Sequence, residues 1–185
     1  LFDNLYKDYW VDASANLVAG RHRAWALLRL GRIEEGQLQI NDLVGRTDDA
    51  QFNGHVRLLR ALVAQIGGST PLDADLPLPG EIGSAPDGLW EMTSALVLIR
   101  QGQGEQAARS LQEAWRELEV RVSGDLFRLL RLVRAFAEHT VATTRDAGTL
   151  DALLAPLRAA PPGFARMLTE AWPEMRLFWE SQSLP

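Results

Sequence analysis

Apolar side chains recur along this chain at spacings of three and four residues, the period of a helix buried on one side. Phe2, Leu5, Tyr6, Tyr9 and Trp10 fall on one such face. From Asp12 the spacing continues through Leu17, Val18, Trp25, Leu28 and Leu30, with Gly20 as an interior breaker and Gly31 as the stop. Ile33, Leu38, Ile40, Leu43 and Val44 predict a second helix over 33–44. Thr47-Asp48-Asp49 supplies N-cap oxygens for a third over 51–66. Further helices are predicted over 90–101, 105–122 and 126–143, the last with Leu126, Leu129, Leu130, Val133 and Ala137 on one face. Asp146 or Thr149 starts a shorter helix that ends near Ala159. Pro162 is placed to open the final helix, which Pro173 kinks or restarts. No long segment alternates strictly, and Val and Ile are few beside Leu and Ala, so sheet is a minor component at most. The expected fold class is all-α.

Residues 67–88 interrupt the pattern. Gly67, Gly68, Pro71, Pro77, Pro79, Gly80, Gly83, Pro86 and Gly88 fall there, a density at which no helix propagates. The expected organisation is one domain over 1–185, with helical halves 1–66 and 89–185 joined by this excursion. Leu72, Leu76, Leu78 and Ile82 punctuate it regularly enough to dock it on the helices. The start at Leu1 rather than Met, without a signal-peptide layout, suggests a fragment or processed chain of a larger protein.

Two segments are alike. Ala24 to Gly36 and Ser94 to Ala107 both read helix, glycine turn, acidic residue, small residue, helix. Gly31 is followed by Gly36, and Gly102 by Ala107. Leu111 and Ala114 continue the second unit as large then small, with Ile40 and Leu43 a looser match in the first. Gly31 and Gly102 are 71 residues apart, and Gly67 lies between them, 36 after one and 35 before the other. This pattern resembles the tetratricopeptide repeat, whose period is about 34 residues. The resemblance implies helix pairs stacked as a short α-solenoid, each pair burying its apolar side on a neighbour. It departs from the family after Gly67, where the Pro/Gly segment replaces a second helix, and it lacks the family's lysine-and-asparagine clamp. In that family the first helix of each pair lines a concave groove. The resemblance therefore implies a partner-binding face at Arg21, Trp25 and Arg29, continued by Met92, Leu96 and Arg100, with Leu89 beside them. Arginines, a tryptophan and apolar side chains would suit a peptide or helix carrying acidic and apolar groups.

Charge narrows the classes of function. The chain of 185 residues carries a net charge of −5, and residues 69–120 alone account for −6. No basic cluster offsets this, so nucleic acid is not an expected partner. Eighteen arginines stand against the single Lys7, the composition expected of a GC-rich bacterial genome. Cysteine is absent, which removes disulfide scaffolds, thiolate metal sites and thiol nucleophiles together. No apolar run approaches the roughly 18 residues of a membrane span, and a cytoplasmic protein is expected.

Motifs that carry chemistry are few. Gly102-Gln103-Gly104-Glu105-Gln106-Ala107 satisfies the G-x-G-x-x-[GA] dinucleotide fingerprint, but that reading needs a parallel sheet the pattern does not supply. His22, His55 and His139 are scattered without an H-E-x-x-H or E-x-x-H spacing. Neither G-x-S-x-G nor a phosphate loop occurs. No metal and no cofactor are expected. Arg128, Arg131 and Arg134 share part of one helix face and form a second candidate surface for acidic peptide, together with Phe178. Phe164, Leu168, Trp172, Met175 and Trp179 overload the last helix with apolar surface, which suits either a cover for the stack or a homodimer contact. Phe178 points about 100° from Trp179 and is expected to be left over for a partner.

The function these features imply is non-catalytic: a scaffold or adaptor module binding another protein or part of its own parent chain. The alternative class is an all-helical sensor with a small-molecule pocket covered by residues 67–88.

Overall fold

The computed structural model describes residues 13–66, 76–82, 88–122, 124–141, 147–159, 168–169 and 172–182. Among them are eight α-helices, one 3-10 turn and no strand. The aromatic stripe from Phe2 to Trp10, Phe164, and most of 67–88 lie outside the described residues.

Helix α1 (Ala13–Arg29) and helix α2 (Ile33–Leu43) form a hairpin. Gly31 closes α1 at φ 73°, and the Arg32 amide donates back to Leu27 O at 3.0 Å. Gly36 lies where the two helices touch: a Cβ there would sit 2.7 Å from Leu28 Cδ2 and 3.2 Å from its Cγ. The second hairpin repeats the plan. Helix α4 (Leu89–Arg100) ends at Gly102, also left-handed, and α5 (Gly104–Arg121) begins two residues later, with Ala107 fully buried. The six residues of the dinucleotide fingerprint thus span a helix-to-helix turn and the first turn of α5, and Leu96 to Ile99 belong to α4 rather than to a strand.

Between these hairpins stands α3 (Ala50–Ile66). Asp49 Oδ1 accepts from the amides of Gln51 (2.8 Å) and Phe52 (3.0 Å), satisfying two of the donors a helix start leaves over. Phe52, Val56, Leu59, Leu62, Val63 and Ile66 recur at helical spacing and enter the core. The described part of the Pro/Gly segment docks on α3. Ile82 is buried while Leu78 is exposed, because Pro79–Glu81 forms a 3-10 turn that rolls Leu78 outward. Leu76 is half-buried, and Leu72 is outside the described residues. Trp90 Nε1 ties α4 to the segment by donating to Pro77 O at 2.8 Å.

Glu81 holds that turn. Its carboxylate accepts from the Leu78 amide at 2.7 Å, and this bond, aided by Arg57 at 3.3 Å, holds its pKa below the usual 4.5. A carboxylate with a lowered folded-state pKa stabilises above its unfolded pKa and stops doing so as pH falls through the lowered value. Hydrogen exchange at the Leu78 amide is therefore expected to lose protection below about pH 4.5, before the helices unfold. Protection unchanged to the point of global unfolding would show that Glu81 does not hold the turn.

The chain continues as α6 (Gly124–Thr140), α7 (Ala147–Ala159) and α8 (Pro173–Ser181). From α1 to α7 each helix packs on the next in sequence. Helix α4 also touches α6, and α8 turns back onto α6 instead of extending the series. Contacts between α3 and α4 join the two halves, and the core runs from Ala24 to Phe178.

Candidate interaction surfaces and cleft

The three residues expected to form a face on α1 lie on one side of it. At 100° per residue, Val18, Arg21, Trp25 and Arg29 share one flank of that helix. Arg21 and Trp25 are half-buried, Trp25 packing against the core, while Arg29 is exposed and Val18 is 42% exposed. The opposite flank of α1 meets α2 in a shallow groove lined by Arg23, Leu27, Glu35, Leu38 and Asp42.

The continuation of that face on α4 does not exist. Met92 and Leu96 are both 0% exposed and belong to the core. Helix α4 is packed by α3, α5 and α6, and these cover the side that Met92 and Leu96 occupy. The sequence carries the signal: Leu89, Met92, Ala95, Leu96, Val97, Leu98 and Ile99 go round the whole helix, the mark of a buried one. Arg100, at its end, is committed internally. Its guanidinium donates to Gln65 O at 2.6 Å, an end carbonyl of α3, and lies 4.3 Å from the ring centre of Trp172. Burial pushes its pKa down and Glu174 pulls it partly back. The Gln65 side-chain amide and Arg100 Nε beside it are buried without a hydrogen-bond partner.

The second arginine surface is also an internal structure. Trp115 on α5 and Phe127 on α6 stack at 5.3 Å between centroids. Arg131 covers Phe127 at 4.7 Å and Arg134 covers Trp115 at 4.5 Å. Arg131 reaches Glu119 at 3.8 Å and Ala152 O on α7 at 3.4 Å. Arg134 is 8% exposed, with Nε donating to Glu138 at 2.8 Å. Both arginines also join helices, Arg131 reaching α7 and Arg134 lying on the Trp115 ring of α5. Arg128 is half-buried on the same helix. The i,i+4 pair Arg134/Glu138 is legible in the sequence, but Trp115, the ring beneath it, lies on the preceding helix.

Phe178 is corrected too. It is 2% exposed, 5.6 Å from Phe136 and 4.8 Å from His139. Trp172, Met175 and Phe178, three residues apart, form the buried stripe of α8, while Trp179 lies half-buried at its edge. The outward apolar residue is Leu177, 63% exposed.

An open cleft of about 440 Å³ lies among α5, α6 and α7. Ala108, Arg109 and Gln112 form one wall, Arg134, Glu138 and His139 another, and Thr149 and Leu150 of α7 close the side. No described residue of the 67–88 segment reaches it. Among the described residues no group of His, Cys, Asp or Glu could hold a metal ion, and no helix is long and apolar enough to cross a membrane. Compared with protein-family models, curated proteins and solved structures, the chain matches none.

Proposed function

We propose that this chain is a non-catalytic, helical-repeat interaction module, a short tetratricopeptide-like stack that binds a peptide or helix of a partner along α1. The observation that carries the reading is the α1 flank itself. Arg21, Trp25 and Arg29 lie there in register, with Val18 uncovered among them. Tryptophan and arginine are the residue types that most often dominate binding energy, and an exposed apolar neighbour adds area to cover. The helix order supports the repeat: successive helices pack in sequence, and the small residue five positions after each turn glycine lies at a close helix contact or in the core. With Met92, Leu96 and Arg100 turned inward, the binding face is confined to the first hairpin. Its occupant carries acidic groups for the two arginines and an apolar group for Trp25.

Affinity capture with the full chain as bait tests the reading. Arg21→Glu combined with Arg29→Glu is expected to abolish recovery of the partner, since reversed charges in an interface cost several kcal/mol. Arg29 is exposed, and substitutions at exposed charges usually change stability by about 0.5 kcal/mol or less, so only the half-buried Arg21 is expected to lower the melting temperature, and circular dichroism checks that the variant stays folded. Leu38→Asp, on the far flank, is expected to leave recovery unchanged. Equal recovery by the arginine variant would remove this face from consideration.

A further inference from the structure

The geometry points to the α5–α6–α7 cleft as a binding site for a small carboxylate with an apolar body, anchored on Arg134. The guanidinium there is held in place before any ligand arrives. Trp115 lies under its plane at 4.5 Å and fixes the tilt. Glu138 takes Nε at 2.8 Å and fixes the rotation within that plane. The anchor sits in a wall of the cleft and is 8% exposed, so a bond made to it is little diluted by water.

Fork chemistry then selects the ligand. A guanidinium offers a carboxylate either the Nε–Nη edge or the edge between its two Nη nitrogens. Glu138 occupies Nε. The Nη–Nη edge remains, and its two parallel N–H vectors match the two oxygens of one carboxylate. A carboxylate in the cleft would supply two acceptors to that edge. The rest of the lining sets the remainder of the molecule. Ala108, Val141 and Leu150 give it apolar wall. Arg109 is matched at 2.7 Å by Glu105, and Arg134 by Glu138, so the cleft holds no surplus positive charge to gather a multiply charged anion. A volume of about 440 Å³ suits a molecule of modest size. This site is separate from the α1 flank and stands whether or not that face binds a partner.

Benzoate, hexanoate, benzamide and inorganic phosphate are the probes, titrated calorimetrically into the full chain. Benzoate or hexanoate is expected to bind, and benzamide, the same shape without the charge, about tenfold or more weakly. Arg134→Met keeps an apolar stem on Trp115 and is expected to lose carboxylate binding by a similar factor. Should that variant fail to fold, the unaltered protein still answers. Benzoate is expected to shift the NMR signals of Arg134 Nε–H and of the Ala108 and Leu150 amides, and leave those of α1 in place. Equal binding of benzamide, undiminished binding by a folded Arg134→Met chain, or shifts elsewhere would overturn the assignment. So would no binding by either carboxylate, and binding of inorganic phosphate alone would replace it with a phosphate site.

Discussion

A chain ending at Pro161 is expected to melt far below the full chain, or not to fold at all. The deletion removes Leu168, Trp172, Met175 and Phe178, each exposed by 5% or less. Burying one large apolar side chain fully stabilises by about 1.5–3 kcal/mol, so the four together represent roughly 6–12 kcal/mol. That sum is an upper bound, since an unfolded chain already covers part of its apolar surface. It is nonetheless the size of the roughly 5–15 kcal/mol that holds a whole domain. The loss spreads inward. Phe136 of α6 would lose both ring partners, Trp172 at 5.7 Å and Phe178 at 5.6 Å, and Arg100 would lose the ring it lies on. Helix α6 touches α4, α5 and α7, so the damage reaches most of the C-terminal half. Differential scanning calorimetry of both chains decides it. If the truncated protein melts with the full one and only self-association disappears, α8 is an interface between copies rather than a cover.

The helices were legible because the punctuation is chemical. The stretches predicted over 33–44, 51–66, 90–101 and 105–122 stand at Ile33–Leu43, Ala50–Ile66, Leu89–Arg100 and Gly104–Arg121. Gly31 and Gly102 stop helices by taking a conformation that other residues avoid, and Asp49 starts one by accepting two amides. Pro173 restarts the last helix at its own first position, where a missing N–H costs nothing. These are local effects, and local sequence states them.

Faces were less legible, because what covers a face is set by distant helices. Arg21, Trp25 and Arg29 kept the flank their spacing implied, since α1 packs chiefly on α2. The same projection failed on α4, where three other helices close in and Met92 and Leu96 become core. Phe178 was read from an angle alone. Packing on α6 turned the stripe so that Phe178 faces Phe136 and Leu177 faces water. The spacing puts Arg134 on an outward candidate surface, because the ring it rests on stands 19 residues earlier. Among the described residues, α1 is the helix whose flank has few neighbours to cover it.

Gly88→Ala is expected to destabilise the protein by roughly 2–5 kcal/mol, from two costs that can be separated. Gly88 precedes α4 at φ 67°, ψ 9°, in the left-handed region, where a Cβ costs roughly 1–2 kcal/mol. The position is also crowded. A Cβ there would come within 2.7 Å of Leu130 Cδ1 and within 3.0 Å of both Leu118 Cδ2 and Val122 Cγ2. Those side chains belong to α6, to α5 and to the residue just after α5, so the glycine lies where three helices converge. Overpacking such a junction costs typically about 1–3 kcal/mol. Gly45→Ala is the comparison. Its φ is 71°, but a Cβ there would meet nothing within 4 Å, so it carries the backbone cost alone. Urea unfolding of the two variants should show midpoints lowered with unchanged slopes, and Gly88→Ala lowered further by the packing share. Equal shifts would mean that Leu118, Val122 and Leu130 move aside freely, and that this junction is not the close-packed hinge of the C-terminal half.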